Sequence, residues 1–341
     1  MPCLEFEHET GAHCGSTSLR DLSTYYDWGF DEPTCFGLGE GLGFSYIELP
    51  ESPHRAIFGR TGWLERAFFE NLGISHTIHE GEPFDAAWRS IKTQIDGGDP
   101  VMIFSDLFYL DYYETNTHFA PHSLLVVGYE ETGETEYVNL ADSEFAEIQR
   151  LPVDRLEKAL TSDYVVPLQC RYLTIDDPTP TVTFENAAEQ AIRSTVATML
   201  DTHEGTRQSK YFTGQGIDEI ETFAADLPNW TELPDPSWTA RFAYQNIERR
   251  GTGGGAFRRL YANFLDESAA TIPIPPTASA EMSEIANGWS ELGELLREAS
   301  ETESDDRFEV LLERTSEQVL VVANRERSLY QKIKTALDEK K

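Results

Sequence analysis

Residues Gly11–Trp28 read GAHCGSTSLRDLSTYYDW and set a cysteine at the mouth of a helix. Leu19, Leu22 and Tyr26 recur three and four residues apart, the spacing of one helical face. Ser16 and Thr17 are residue types that cap helix starts, and Gly29 stops the run. Cys14 therefore lies at the positive end of a helix dipole, where a thiolate is stabilised and becomes a nucleophile at neutral pH. His13 beside it adds a second candidate cation. A buried structural cysteine is the alternative on local sequence alone.

The 341 residues leave room for two domains of ordinary size, each with its own core. No apolar run reaches the length of a membrane span. The opening MPCLEFEHET is acidic and lacks a signal-peptide pattern, so a cytoplasmic location is expected. Cys3, Cys14, Cys35 and Cys170 show neither a CxxC nor a disulfide-framework spacing, which suits a reducing compartment.

Charge is the dominant compositional fact. Sixty acidic residues against 27 basic ones give a net charge of −33, and only seven of the basic residues are lysine. The acids are dispersed along the chain and not gathered in a tail, which points to a surface built for a particular solvent. Self-repulsion weakens such a fold in dilute buffer, and molar salt removes the penalty by shrinking the Debye length to about 3 Å. The composition resembles that of proteins in a salt-rich cytoplasm, as in halophilic archaea. Neither nucleic acid nor membrane is expected as a partner.

Past the first helix, FGLGEGLGF (36–44) places four glycines at alternate positions and reads as a loop or as tightly approached backbone. It lacks the strand and helix of a dinucleotide fingerprint, and no cofactor is expected. Gly39 and Gly41 are assigned to a loop lining a cleft near Cys14, a glycine-rich structural turn being the alternative. Residues 63–72 and 84–95 read as amphipathic helices, and GGDP (97–100) breaks the second. Short apolar, β-branched runs follow at 101–105, 123–129, 136–140 and 148–151, then a helix at 153–160 and a strand at 170–175.

Helices thus precede an antiparallel sheet, an α+β arrangement. DDPTPTVT (176–183) is the expected linker between domains at 1–176 and 184–341. Beyond it strand patterns give way to helical spacing at 184–200, 217–227, 239–248, 257–268, 278–299 and 307–337, an all-helical domain. One passage there is unusual: IERRGTGGGAFRRLYANFL (247–265) flanks a glycine cluster with four arginines. Gly253, Gly254, Arg258 and Arg259 form a candidate anion site at a helix start. The alternative, favoured in so acidic a chain, is that the glycines allow close packing and the arginines pair with acids.

A cysteine nucleophile needs a base within reach and a third group to orient that base. His122 precedes the apolar run 123–129, so a sheet would fix its backbone. Asp142 follows the next strand, YVNLAD, and the hairpin brings the start of one strand beside the end of its neighbour. Asn139 is the rival orienter but sits within the strand. His118 and His122 are separated by Pro121 and do not share a helix as an HExxH zinc pair must; no metal is expected.

This order of cysteine, histidine and aspartate resembles that of papain-like cysteine enzymes. HCGSTSLRDL, FGLGEGLGF, PVMIFSDLFYLDYY, HFAPHSLLVVGYE and YVNLADSEF together resemble the N-terminal domain of the butirosin biosynthesis protein H (BtrH) family. RGTGGGAFRRLYANFLDE resembles the helical domain of unknown function that commonly follows it (DUF4872). The resemblance implies a papain-like catalytic domain and transfer of an acyl or aminoacyl group from a thioester donor, a carrier protein in the founding member, to a small amine acceptor. It assigns Cys14 as nucleophile, His122 as proton carrier and Asp142 as orienter, with Asp106 and Tyr109 in the substrate-binding segment and Asp106 either facing a cationic amine or, as a strand-end carboxylate, capping a turn. Papain-type enzymes carry a glutamine before the cysteine to complete the oxyanion hole. None stands there, which leaves His8 or Thr10 beside the Cys14 N–H.

The alternatives are a papain-like peptidase or amidase, with water as acceptor, and a non-catalytic binding protein on the same fold. The large helical domain favours transfer, as a cover that excludes water. The charge carries its own test. The melting temperature is expected to climb steeply as potassium chloride rises from about 0.1 M to about 1 M, because screening relieves the repulsion. A flat response over that range would show that the acidic excess is no salt adaptation.

Overall fold

The computed structural model describes residues 3–200 and 214–339. Helices α1 (Cys14–Tyr25) and α2 (Glu32–Leu38) come first, followed by strands β1 (Leu42–Glu48) and β2 (Arg55–Arg60) and by α3 (Leu64–Leu72). Next are β3 (Ser75–His79), α4 (Phe84–Gly97), β4 (Val101–Ser105) and two short 3-10 turns, Leu107–Tyr109 and Asp111–Tyr113. Strands β5 (His122–Thr132), β6 (Thr135–Ala141) and β7 (Gln149–Pro152), helix α5 (Val153–Thr161) and β8 (Tyr172–Asp177) complete the mixed half. The rest is helical among the described residues: α6 (Phe184–Met199), α7 (Ile217–Asp226), α8 (Pro236–Glu248), α9 (Arg258–Ser268), α10 (Ala278–Glu301) and α11 (Asp305–Asp338). The chain is α+β, and the expected helices and strands are present from residue 63 onward, while α2, β1 and β2 occupy a stretch to which the sequence reading assigns no element. None of the described helices is long and apolar enough to cross a membrane.

Two compact units emerge, and they do not follow a single cut. One joins Met1–Cys35 to Leu72–Thr181; the other joins Phe36–Asn71 to Val182–Lys341. The expected contiguous division into 1–176 and 184–341 is corrected by the segment from Phe36 to Asn71. Its hairpin carries aromatic side chains that only the helices can bury. The Phe44 ring lies 5.3 Å from that of Trp289 and 6.1 Å from that of Phe223, and Tyr46 lies 5.5 Å from Phe223.

The first unit is organised by a six-stranded antiparallel sheet of order β3-β8-β4-β5-β6-β7. Trp88, Ile91 and Ile95 of α4 and Leu156, Ala159 and Leu160 of α5 pack on Ile103, Leu124, Val126, Val138 and Leu140. Strand alternation sends Leu125 and Val127, also buried, to the opposite face. Helix α1 lies against β5, so the cysteine and histidine segments are neighbours by packing.

In the second unit α10 contacts α8, α9 and α11, while α6 and α7 lie along α11. The FGLGEGLGF segment is not a loop here. Helix α2 runs through Leu38, Gly39 and Glu40 make a turn, and β1 begins at Leu42. A Cβ on Gly41 would meet the Phe36 ring at 2.6 Å and Leu64 at 2.8 Å. Its bare backbone serves packing against Phe36 and Leu64, which is the structural alternative to a cleft-lining loop at that position.

At the centre of this unit Arg258 and Glu326 have no exposed side-chain surface. The guanidinium donates to both carboxylate oxygens at 3.0 and 3.1 Å and to the carbonyls of Ala256 and Gly43 at 2.8 and 3.2 Å. Glu326 also accepts from Trp289 Nε1 at 2.7 Å and from the Tyr330 hydroxyl at 3.1 Å. Removing one partner strands a buried charge. Arg258→Met is therefore expected to cost ~3–5 kcal/mol in denaturant unfolding of the full chain, with Arg258→Lys between it and the parent. A cost below about 1 kcal/mol would show that the pair is not structural.

Candidate active site

Helix α1 starts one turn earlier than its hydroxyl residues suggest. His13 is the N-cap, in extended backbone with φ −137° and ψ 130°, and its Nδ1 accepts the Ser16 N–H at 3.3 Å. Ser16 and Thr17, expected as caps, instead donate their hydroxyls to Glu32 Oε1 at 2.9 and 3.1 Å. Glu32 also takes the backbone N–H groups of Ala12 at 3.0 Å and His13 at 2.9 Å, pinning the chain ahead of the cysteine. Cys14 is then the first helical residue, and its N–H and that of Gly15 have no partner within the helix. It is partly exposed, Cys3 is exposed, and Cys35 and Cys170 are buried.

His122 opens β5 opposite Ser105 of β4 and is buried. Asp142 lies one residue past β6 and is fully buried. The hairpin brings them together: His122 Nε2 lies 3.0 and 3.1 Å from the two carboxylate oxygens. The ring also hydrogen-bonds the Cys14 thiol. The Cys14 Sγ has a second imidazole beside it, with His13 Nε2 at 4.0 Å.

Electrostatics follow from these contacts. Burial opposes ionisation of Cys14, but its interactions with His13 and His122 outweigh it and hold the thiol well below its ordinary range. Burial likewise opposes charge on His122. The Asp142 carboxylate and the Cys14 contact override it and raise the imidazole to about 10. Asp142 is destabilised as an anion by burial, yet His122 and two tyrosine hydroxyls bring its pKa below the usual value. The two shifts, Cys14 downward and His122 upward, both run in the direction that favours a thiolate beside an imidazolium.

Those tyrosines are absent from the sequence-based site. Tyr112 donates to Asp142 Oδ2 and Tyr113 to Oδ1, each at 2.8 Å, and the Tyr113 ring stands edge-on to His122 at 5.7 Å. Their one signal was the aromatic density of DLFYLDYY; nothing in the spacing connects it to Asp142. His8 was named, but for another role. Its Nδ1 meets Asp21 Oδ2 of α1 at 2.6 Å, and its Nε2 meets the carbonyls of Phe145 and Asp142 at 2.7 and 3.1 Å. Burial disfavours its charge, and the Asp21 bond leads the contacts that nonetheless raise its pKa. With both nitrogens engaged His8 is a brace between α1 and the exit of β6, not an oxyanion donor. Thr10 is exposed, and its carbonyl accepts from Arg20.

Asp106 takes the turn-capping reading and not the amine-binding one. Fully buried, its carboxylate accepts from His118 Nδ1 at 2.6 Å, the Ser162 hydroxyl at 2.7 Å, and the Phe108 and Phe119 N–H groups at 3.2 Å. All four acceptor positions are filled, so it organises its own loop and has none left for an amine. Tyr109 packs against the core of the first unit, with the Arg155 guanidinium 5.5 Å from its ring. His118 stacks between Phe108 and Tyr164. Among the described residues no group of three or more histidine, cysteine, aspartate or glutamate side chains is placed to hold a metal.

The candidate anion site of the second unit is filled from within. Gly254 and Gly253 adopt φ of 81° and 65°, a left-handed turn that suits glycine. The Gly254 N–H goes to the Thr252 hydroxyl at 3.1 Å, and the Gly255 N–H to Glu248 Oε1 at 3.0 Å. Arg259 donates to Asn287 and Ser290, at 3.1 and 2.9 Å, and Arg258 is spent on Glu326. The anions are the protein's own carboxylates.

No curated protein matches this chain. Residues 13–140 match the family described as butirosin biosynthesis protein H, N-terminal, which takes in Cys14 and His122 and stops two residues short of Asp142. Residues 154–333 match the domain of unknown function DUF4872. That second match runs over more than half of the sequence, and the chain accordingly belongs to the DUF4872 family, with a BtrH-type N-terminal region ahead of it.

Proposed function

We propose that the chain is a cysteine-dependent acyltransferase working through a Cys14 acyl-enzyme. The observation that carries this reading is the hydrogen-bonded series Cys14–His122–Asp142, with the thiol at the first turn of a helix. The match to a butirosin biosynthesis protein supports a transfer reaction over other thiol chemistry.

The Cys14 thiolate attacks the carbonyl carbon of a thioester, and the electron pair moves to the carbonyl oxygen. Collapse expels the donor sulfur, which takes its proton from the His122 imidazolium and leaves the acyl group on Sγ. An amine then attacks this new thioester and gives its proton to His122, and the Cys14 thiolate departs as the amide forms. Asp142 stays ionised throughout and holds the imidazole in one orientation. Exchange of one thioester for another is nearly isoenergetic, which suits a thiol nucleophile.

Two measurements test this. Iodoacetamide should modify Cys14 faster than Cys3, Cys35 or Cys170 at pH 7. In His122→Ala the rate near pH 6.5 should fall by about tenfold or more and recover only toward the ordinary thiol range near 8.5. Cys14 reacting no faster than its neighbours in the folded chain would remove the nucleophile. Secondly, a model acyl thioester should add one acyl mass to Cys14, and amino sugars or polyamines should discharge it as amide. Release of free acid alone with every amine, together with peptide cleavage, would make the protein a hydrolase.

A further inference from the structure

The geometry points to His13 as the oxyanion-hole side chain of this site, donating from Nε2 alongside the Cys14 backbone N–H. The inference rests on the acyl-transfer reading and deepens it. Sequence comparison with papain-type enzymes leaves that role open, since no glutamine precedes the cysteine. His8 has both nitrogens engaged elsewhere, and Thr10 is exposed.

Three observations place His13. Its Nδ1 accepts from the Ser16 backbone N–H, a group that only donates, so Nδ1 presents its lone pair and Nε2 carries the proton. Nε2 lies 4.0 Å from Sγ. The oxyanion formed on attack is two bonds from Sγ and needs donors about 3 Å away, which is the zone Nε2 occupies. The residue is buried, and its place as N-cap fixes the ring before substrate arrives. The second donor, the N–H of Cys14, is at the first helical position, where helix geometry leaves it open.

In the resting site the Nε2–H faces the thiolate. As the new carbon–sulfur bond forms, negative charge leaves Sγ for the carbonyl oxygen, and the same N–H follows it over a short distance. His122 cannot serve both ends, because its Nε2 is held by Asp142 and the ring handles the proton at Cys14. The two histidines divide the work: His13 for charge on oxygen, His122 for the proton.

The test separates attack on a carbonyl from attack on a saturated carbon. Alkylation by iodoacetamide passes through no oxyanion, whereas acylation by an acyl N-acetylcysteamine thioester does. His13→Asn keeps a cap acceptor for Ser16 but withdraws the donor, and His13→Gln restores a longer N–H arm. Both rates are read on the full-length chain, each on its pH-independent plateau, with melting temperatures measured alongside. We expect His13→Asn to lose about 10²–10³-fold in acylation while its alkylation plateau stays within about threefold. His13→Gln should acylate at least tenfold faster than His13→Asn. Equal acylation by the asparagine and glutamine variants, or acylation by His13→Asn at the parent rate, overturns the assignment and leaves the acyltransferase reading standing. A parent protein that never takes up the acyl group overturns both.

Discussion

A carboxylate with no exposed surface must find all its stabilisation inside the protein, and Asp142 imposes that requirement on everything around it. Three donors answer it: the His122 ring and the hydroxyls of Tyr112 and Tyr113. The tyrosines arrive from a segment coiled into two 3-10 turns, so the shape of that segment is tied to the charge it serves. Behind the carboxylate the Asp142 carbonyl accepts from His8, which reaches on to Asp21 of α1. The helix that carries the thiol and the strand exit that carries the acid are thereby joined through one imidazole. A neutral ring donates from only one nitrogen, so the double contact requires the charged form.

Much of this was legible in the sequence because it is local or periodic. The alternation in 123–129 and 136–140 marks β5 and β6, and antiparallel pairing then brings His122 and Asp142 together without further information. The helical spacing after Cys14 places the thiol at a helix start. What escaped is long-range or depends on the partner a polar group finds. Tyr112 lies 30 residues from Asp142, and no periodicity links them. Ser16 and Thr17 have the composition of caps, but Glu32 claims their hydroxyls and leaves His13 to do the capping. Asp106 offers the carboxylate that a cationic amine would call for, but its own loop saturates it. Of the two readings of FGLGEGLGF, loop or tightly approached backbone, the second applies at Gly37, where Phe264 closes on the backbone, and at Gly41, where Phe36 and Leu64 do.

The second unit shows the same preference for internal satisfaction. Arg258 is fully buried against Glu326, and the indole of Trp289 and the hydroxyl of Tyr330 complete the set. Such a group contributes little net stability over an apolar core but penalises any packing that separates its members. The hairpin carbonyl of Gly43 enters the same network, which is why the segment from Phe36 to Asn71 belongs with the helices despite its distance in sequence.

Glu32 and Glu248 have one property that a dissolved anion lacks. Each is covalently part of the chain whose amide groups it occupies, at Ala12 and His13 in one case and at Gly255 in the other. A tethered ligand meets its site at a local concentration set by the length of the tether and not by the surrounding medium. Chloride or phosphate can therefore be exchanged outside without vacating either turn. The backbone ahead of Cys14 keeps its shape by carrying its own counterion.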